Sequence, residues 1–400
     1  MSDSMKEVLQ EFTDAGIQIH KKHSLPNYFE FDKMFKITKN PDYYNELPNQ
    51  CTQQIIKEAL SDFKAFFKSL KAYKKCNTGF TGKPKIPHYC KSDKASFDIT
   101  NQDAVIYSRQ VKKGDTEETV YELKLPKTKL RLNLGKLEIQ NLKVVTVKPF
   151  YDTYKICTVY ETEDVVIKEL DKTRVLGIDL GIDNFLAASN NCGLVPFVIN
   201  GKIMKSKNQF LNQQIARLQE CLAMCQKKQY TSNRIQKLWK YRNNFFNDQM
   251  HKISAYIMNY CIENNIGTVV VGRNNGWKQG GNMGSRNNQK FCFIPQSQFI
   301  RKLKEKAVIA GIIVIEQEES YTSKASHLDM DKIPVYGKAE RKPVFSGRRK
   351  YRRLYVSSDG TEINADVNGA SNIIRKCIPD AFYAIMDFSY LTKSVDIVTV

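Results

Sequence analysis

The run VLGIDLGID, residues 175–183, limits what this chain can fold into more than any other segment. It is apolar and bounded by turn residues, which predicts a buried strand. Alternation along a strand sets Val175, Gly177 and Asp179 on one face and Leu176, Ile178 and Leu180 on the other. A carboxylate inside an apolar strand is costly unless it is paired or bound to a cation. The fold must therefore bring a compensating group to Asp179, which makes it the first candidate functional residue.

Two other acids stand in comparable contexts. Glu319 ends a predicted strand in VIEQEESYTSKAS. Glu316, Glu318 and Glu319 fall within four residues and repel one another unless some face solvent or a cation, so Glu316 and Glu318 read as exposed edge residues. Asp366 lies in INADVNGASNIIRK, at a predicted helix start, where an Asp also serves as an ordinary first-turn residue. Three carboxylates on separate α/β elements suit a phosphodiesterase with two Mg²⁺ ions: hard oxygen ligands hold such ions, and a pair of ions clamps the attacking and leaving oxygens of an in-line displacement.

Charge narrows the partner. The chain carries 62 Lys+Arg against 42 Asp+Glu, net +20, which favours a polyanion. The excess is localised. Residues 201–260 hold 11 basic and 2 acidic residues, and residues 336–355 hold 8 and 1. These windows account for the whole excess of the second half and point to phosphate-backbone contacts. No apolar run approaches the ~20 residues of a membrane span. The start, MSDSMKEVLQEF, lacks the basic and apolar regions of a secretory signal. Ten Cys occur with no CxxC, which fits a reducing cytoplasm and argues against a zinc ribbon.

Along the chain, Thr52–Lys74 has helical spacing with a broad apolar stripe from Ile55 to Leu70. TGFTGKPKIPHYCK follows, a Gly/Pro-rich basic stretch with Phe80 and Tyr89 among cations, as a single strand or an RNA backbone would contact. Short β-rich runs at 104–107, 120–125, 130–134, 143–147 and 154–160 predict a small barrel or sandwich. The acidic stretch Glu161–Asp171 is a domain boundary. Beyond it strands and helices alternate, predicting an α/β layer. Thr173–Ser189 reads as two strands, Lys202–Asn264 as a helical hairpin, Gly267–Val271 and Gly311–Ile315 as buried strands, and Pro295–Ala310 as a helix.

VLGIDLGIDNFLA resembles the first RuvC motif of the TnpB family, and INADVNGASNIIRK resembles the third. VVVGRNNGWKQG, EESYTSKAS and FSGRRKYRRLY are similar to one branch of that family. The resemblance is strong over residues 170–380 and weaker over YNELPNQCTQQIIKEALSDFKAFFKSLKAY and TGKPKIPHY. It implies an RNase H-like (RuvC) α/β nuclease domain over 172–400 with a helical insertion at 202–264. It also implies an N-terminal β-barrel-like wedge domain over 1–47 and 83–168, carrying a small helical recognition module at 48–82. The implied activity is RNA-guided DNA cleavage by a bacterial, cytoplasmic, nucleoid-associated protein of an insertion sequence. Its implied partners are a guide RNA from the transposon end and target double-stranded DNA, with no membrane partner, and its implied cofactor is a pair of Mg²⁺ ions.

Carried over, Asp179 matches the first catalytic acid and Asp366 the third. Many relatives place the second, a Glu, just after the strand matching Thr268–Val271, where this chain has Gly272 and Arg273. One branch relocates it to the next strand in an E-x-Y-T-S pattern, which Glu319–Ser323 fits, so Glu319 is the expected second acid and metal ligand, with Glu318 in reserve. Relatives that bind zinc have CxxC pairs between the second and third motifs. Residues 320–365 contain no Cys, so no zinc is expected. Expected nucleic-acid contacts are Lys83, Lys85, Arg234, Lys237, Lys240, Arg242, Arg273, Lys278, Arg348, Arg349, Lys350, Arg352 and Arg353. The rival readings are a nuclease-dead RNA-guided repressor, a DDE transposase, and an actin/Hsp70-type ATPase, whose first strand also carries V-x-G-I-D-L-G.

Overall fold

The computed structural model describes residues 3–17, 25–41, 43, 47–89, 94–113, 116–162, 169–225, 231–273, 295–335, 337, 343–351 and 353–399. The chain divides into two compact units, Met1–Asp164 and Val165–Val400, with the break inside the acidic stretch.

The first unit opens with α1 (Asp3–Asp14), α2 (Tyr28–Ile37) and α3 (Asn49–Lys75). Asn27 starts α2 through a capping box: its side chain accepts from Glu30 N–H while the Glu30 carboxylate accepts from Asn27 N–H. The 27 residues of α3 extend about 40 Å at 1.5 Å per residue. Only part of its apolar stripe is covered. Cys51 and Leu60 are buried, whereas Ile55 and, beyond the last buried turn of α3, Phe67 are exposed. Two three-stranded antiparallel sheets follow. One joins β1 (Phe97–Thr100), β5 (Asn141–Phe150) and β6 (Thr153–Glu161); the other joins β2 (Val105–Lys113), β3 (Thr116–Lys124) and β4 (Arg131–Gly135). Ile99, Leu123, Leu142, Val145 and Val147 form one core between them.

The second unit is built on a six-stranded sheet. Its strands are β7 (Asp171–Leu180), β8 (Asn184–Asn190), β9 (Phe197–Asn200), β10 (Ile266–Gly272), β11 (Ile313–Gln317) and β15 (Asp396–Val398), in the order β11-β10-β7-β8-β9-β15. β7, β8 and β9 form an antiparallel meander, while β10 and β11 run parallel to β7. This order and these directions are those of an RNase H-like sheet. The helices α4 (Lys202–Met224), α5 (Asn233–Glu263) and α6 (Gln296–Ala310) accompany it. The alternation read from the sequence is realised. Leu176, Ile178 and Leu180 pack into a core with Met250, Ile253, Ile257, Phe299 and Leu303 of α5 and α6. On the opposite face Val175 and Val270 meet Ile373 and Ile374 of α7 (Ala365–Cys377).

Three features depart from the sequence reading. β11 is an edge strand with Ile313 exposed, because β10 covers one side of it only and no later strand extends the sheet among the described residues. The basic region before α7 contains a small antiparallel sheet of β12 (Arg348–Tyr351), β13 (Leu354–Val356) and β14 (Glu362–Asn364). Tyr355 and Ile363 of that sheet pack on Val367 and on Leu391 of α8 (Ser389–Thr392). β15, which pairs with β9, carries no signal of its own beyond three residues.

His327 is fully buried, with neither ring nitrogen hydrogen-bonded, between Phe382 and Phe388 at centroid distances of 4.5 and 5.2 Å. Burial holds the imidazole neutral and pushes its pKa down to about 3, with the nearby Arg375 adding to the effect. An unfolded His binds its proton near pH 6.5, so stability falls as the pH drops below that value. His327→Leu removes this linkage. The variant is expected to be more stable than wild type, with the difference about 2 kcal/mol larger at pH 5 than at pH 8. Chemical denaturation at the two pH values measures it, and an equal difference at both would refute the assignment.

Candidate active site

Asp179 lies near the end of β7, half-buried, on the face covered by α7. The helix can approach because residue 369 is Gly: a Cβ there would stand 2.6 Å from Asp179 Oδ2. Asp366 occupies the first turn of the same helix. Capping is done by Asn364, whose side-chain oxygen accepts from Asp366 N–H at 2.9 Å and Val367 N–H at 3.3 Å. The Asp366 carboxylate is thereby released from the cap role that its position allowed. Its Oδ2 accepts from Asn184 Nδ2 at 2.9 Å, and its Oδ1 lies 3.5 Å from the Arg349 guanidinium.

Asp179, Asp183, Asn184, Arg349, Arg353 and Asp366 line a cavity of about 300 Å³. Asp183 is paired with Lys205. Burial pushes the Asp179 carboxyl up to about 8, helped by the charges of Glu319 and Asp366 and opposed by Arg349. Burial also raises the Glu319 carboxyl, to about 7, with Glu318 adding repulsion and Lys376 opposing it. Among the described residues no three His, Cys, Asp or Glu side chains stand close enough to enclose a metal ion. Asp179 feels the charges of both other acids; Asp366 lines the cavity with it, and Glu319 does not. Mutual repulsion of this kind is relieved by a hard dication, and an all-carboxylate donor set suits one.

The strand end also separates the three glutamates. Glu316 is half-buried and paired with Arg273 and Lys304. Glu318 accepts from Ser320 N–H at 2.8 Å and from Lys376 at 2.6 Å. Both were read as exposed; each is instead drawn into an ion pair, because a half-buried carboxylate beside others needs a cation. Glu319 reaches back to β10. A Cβ at Gly272 would stand 2.7 Å from Glu319 Oε2 and 2.5 Å from Ile373 Cδ1. The position that carries Glu in many relatives thus holds a glycine, and the side chain of Glu319 fills the space.

The expected nucleic-acid contacts divide. Lys83, Lys85, Arg234, Lys237, Arg348, Arg349, Lys350 and Arg353 are exposed, and Lys240 is half-buried. Arg242 is taken up inside the α4–α5 hairpin, where it donates to Asn208 Oδ1 at 2.9 and 3.1 Å and lies against Trp239 and Phe246. Arg273 is held by Glu316. Lys278 and Arg352 lie outside the described residues. Sequence reasoning assigned Arg349 to a nucleic acid but gave no sign that it stands beside Asp366, since that approach depends on the unforeseen β12–β13 pairing.

Residues 156–278 match a family model described as "OrfB_IS605: Probable transposase", and residues 297–373 match "Cas12f1-like, TNB domain". The two matches support a TnpB-family nuclease. No curated protein matches the chain. Among solved structures it resembles one titled as a cryo-EM structure of the Cas12f1-sgRNA-target DNA complex. The identity is 16%, over 92% of this chain and 78% of that one, with a TM-score of 0.50. A second, titled as a CRISPR-Cas12f ternary complex, matches at 17% identity over the same shares with a TM-score of 0.35. The first likeness agrees with the RNase H-like fold derived from the strand order.

Proposed function

We propose that this TnpB-family chain is an RNA-guided DNA endonuclease whose catalytic, Mg²⁺-holding residues are Asp179, Glu319 and Asp366. The observation that carries the reading is that Asp179 of β7 and Asp366 at the start of α7 line one cavity with Arg349 and Arg353, while Glu319, just past β11, acts electrostatically on Asp179. When bound, a pair of Mg²⁺ ions supplies Lewis-acid charge for hydrolysis of a phosphodiester. The chain's own residues do the remainder. Asp179 and Asp366 present oxygens to the cavity, and Asn184 orients Asp366. Arg349 and Arg353 draw the substrate phosphate toward the acids; a guanidinium suits that role because its fork matches phosphate oxygens.

The Cas12f1 structure is titled as a complex with sgRNA and target DNA. The same two partner classes are proposed here, with the guide derived from the transposon end. The exposed cations on α5 and β12 and the stretch around Lys83 and Lys85 supply backbone contacts. The wedge role of residues 1–47 and 83–168, the recognition role of 48–82 and the helical insertion at 202–264 belong to the same proposal.

The test is to express the chain within its flanking DNA, sequence the RNA that co-purifies, and challenge the complex with matched and mismatched duplex in Mg²⁺. Guide-dependent cutting is expected. Cutting that ignores the RNA sequence, or no enriched RNA, sinks the reading; guided binding without cutting favours the repressor. A second expectation concerns salt. Arg348→Ala combined with Lys350→Ala should lower the slope of log K against log salt by about 0.9 for each phosphate that the pair neutralises. An unchanged slope in filter-binding assays excludes both residues from the interface.

A further inference from the structure

The segment 318–334, which carries Glu319, has no strand or helix of its own. Glu319 must nonetheless be held to within a fraction of an ångström if it is to act with Asp179. One helix supplies that support. Asn368, Asn372, Arg375 and Lys376 of α7 are spaced i, i+4, i+7 and i+8, so they form one stripe. Asn368 and Asn372 are fully buried and the Lys376 side chain is 4% exposed. Their polar groups meet the segment along most of its length. Lys376 Nζ reaches Glu318 Oε2 at 2.6 Å, Ser320 O at 2.7 Å, Ser320 Oγ at 3.1 Å and Pro334 O at 3.2 Å. Asn372 donates to Thr322 O at 2.9 Å and Ala325 O at 2.7 Å. Asn368 donates to Ala325 O and accepts from His327 N–H. Arg375 donates to Asp331 O at 2.9 Å. Thr322 closes the chain by donating its hydroxyl to Glu319 O at 2.8 Å.

We infer that this stripe of α7 is the mount for Glu319, with Lys376, Asn372 and Thr322 as its positioning residues. The inference deepens the proposed function and rests on that site reading. A buried ammonium and two buried amides are a poor way to gain stability, since apolar residues of similar size do as well. A fully satisfied polar network instead fixes one geometry. Lys376 also selects between adjacent acids: with one Glu318 oxygen on Lys376 and the other on Ser320 N–H, Glu318 is turned away and Glu319 is left for the site. The same helix carries Asp366 in its first turn and rests Gly369 on Asp179. All three acids are thereby referenced to one rigid element, which is how a Glu moved off the central strands keeps its register.

The experiment is a Mn²⁺ titration of the full chain without RNA, followed by electron paramagnetic resonance. Thr322→Val and Lys376→Met should each weaken Mn²⁺ binding about 10-fold, the lower end of the effect seen for outer-shell partners of metal ligands. In a Glu319→Ala background each should change it less than about twofold, because they act through Glu319. Thr322→Val keeps the side-chain shape and decides the matter alone if Lys376→Met does not fold. Wild-type affinity in Thr322→Val, or losses that add fully to that of Glu319→Ala, overturns the mount. Wild-type affinity in Asp179→Ala and Glu319→Ala instead overturns the site reading itself.

Discussion

Asp179→Ala, Glu319→Ala and Asp366→Ala are each expected to lower guided DNA cleavage by on the order of 10³-fold or more while leaving RNA retention unchanged. Removing a single preorganised group that stabilises transition-state charge costs about 10²–10³-fold, and removing a cation ligand takes away more than one such interaction. Effects within one unit are non-additive, so the triple variant should be little worse than the worst single one. RNA retention should persist because most of the exposed cations proposed to hold it, such as Lys83, Lys85, Arg234 and Lys237, are distant in sequence from the acids. Single-turnover cleavage with matched duplex is the measurement. The glutamate assignment is open to direct refutation: full activity in Glu319→Ala with loss in Glu318→Ala would falsify it. The structure predicts otherwise, since Glu318 is spent on Lys376 and Ser320.

The second large effect is on stability and has the opposite sign to the effect on activity. The Asp179 carboxyl is pushed up to about 8, far above the unfolded value near 4. A raised carboxyl keeps its proton in the folded state over a range where the unfolded chain has lost it. The metal-free protein should therefore lose stability as the pH rises from about 4 through 8. Asp179→Asn keeps the shape and removes the charge, so at pH 8 it should melt several degrees above wild type, each kcal/mol being worth about 2–4 °C for a unit of this size. Saturating Mg²⁺ or Mn²⁺ should narrow or invert the gap by stabilising wild type alone. Calorimetry with and without the cation reads both arms. A variant that melts below wild type at pH 8 without cation would show that Asp179 is not the strained acid inferred here.

Much of the site was legible in the chain itself, because each of its elements has a local signal. Alternation fixed the face of Asp179, since residue parity is a property of a strand before it pairs. NADVNGASNII announced the start of α7, and the Asn364 cap made that start definite. Other features had no local signal. β12–β14 form because Tyr355 and Ile363 find Val367 and Leu391, a packing that a run of Arg and Lys does not advertise. Arg242 and Arg273 looked like surface cations, and only the neighbouring Asn208 and Glu316 show that the fold uses them.

The sequence by itself determined that an acid lies inside an apolar strand, that two more stand at element ends, and that the chain needs a polyanion or a cation as partner. Which glutamate pairs with Lys376, and which arginine approaches Asp366, only the tertiary structure decided. Adjacent glutamates have the same propensities and nearly the same neighbours along the chain, so no local rule separates them. The choice is made by Lys376 from 58 residues away, a buried charge that must be satisfied and can take only one of them.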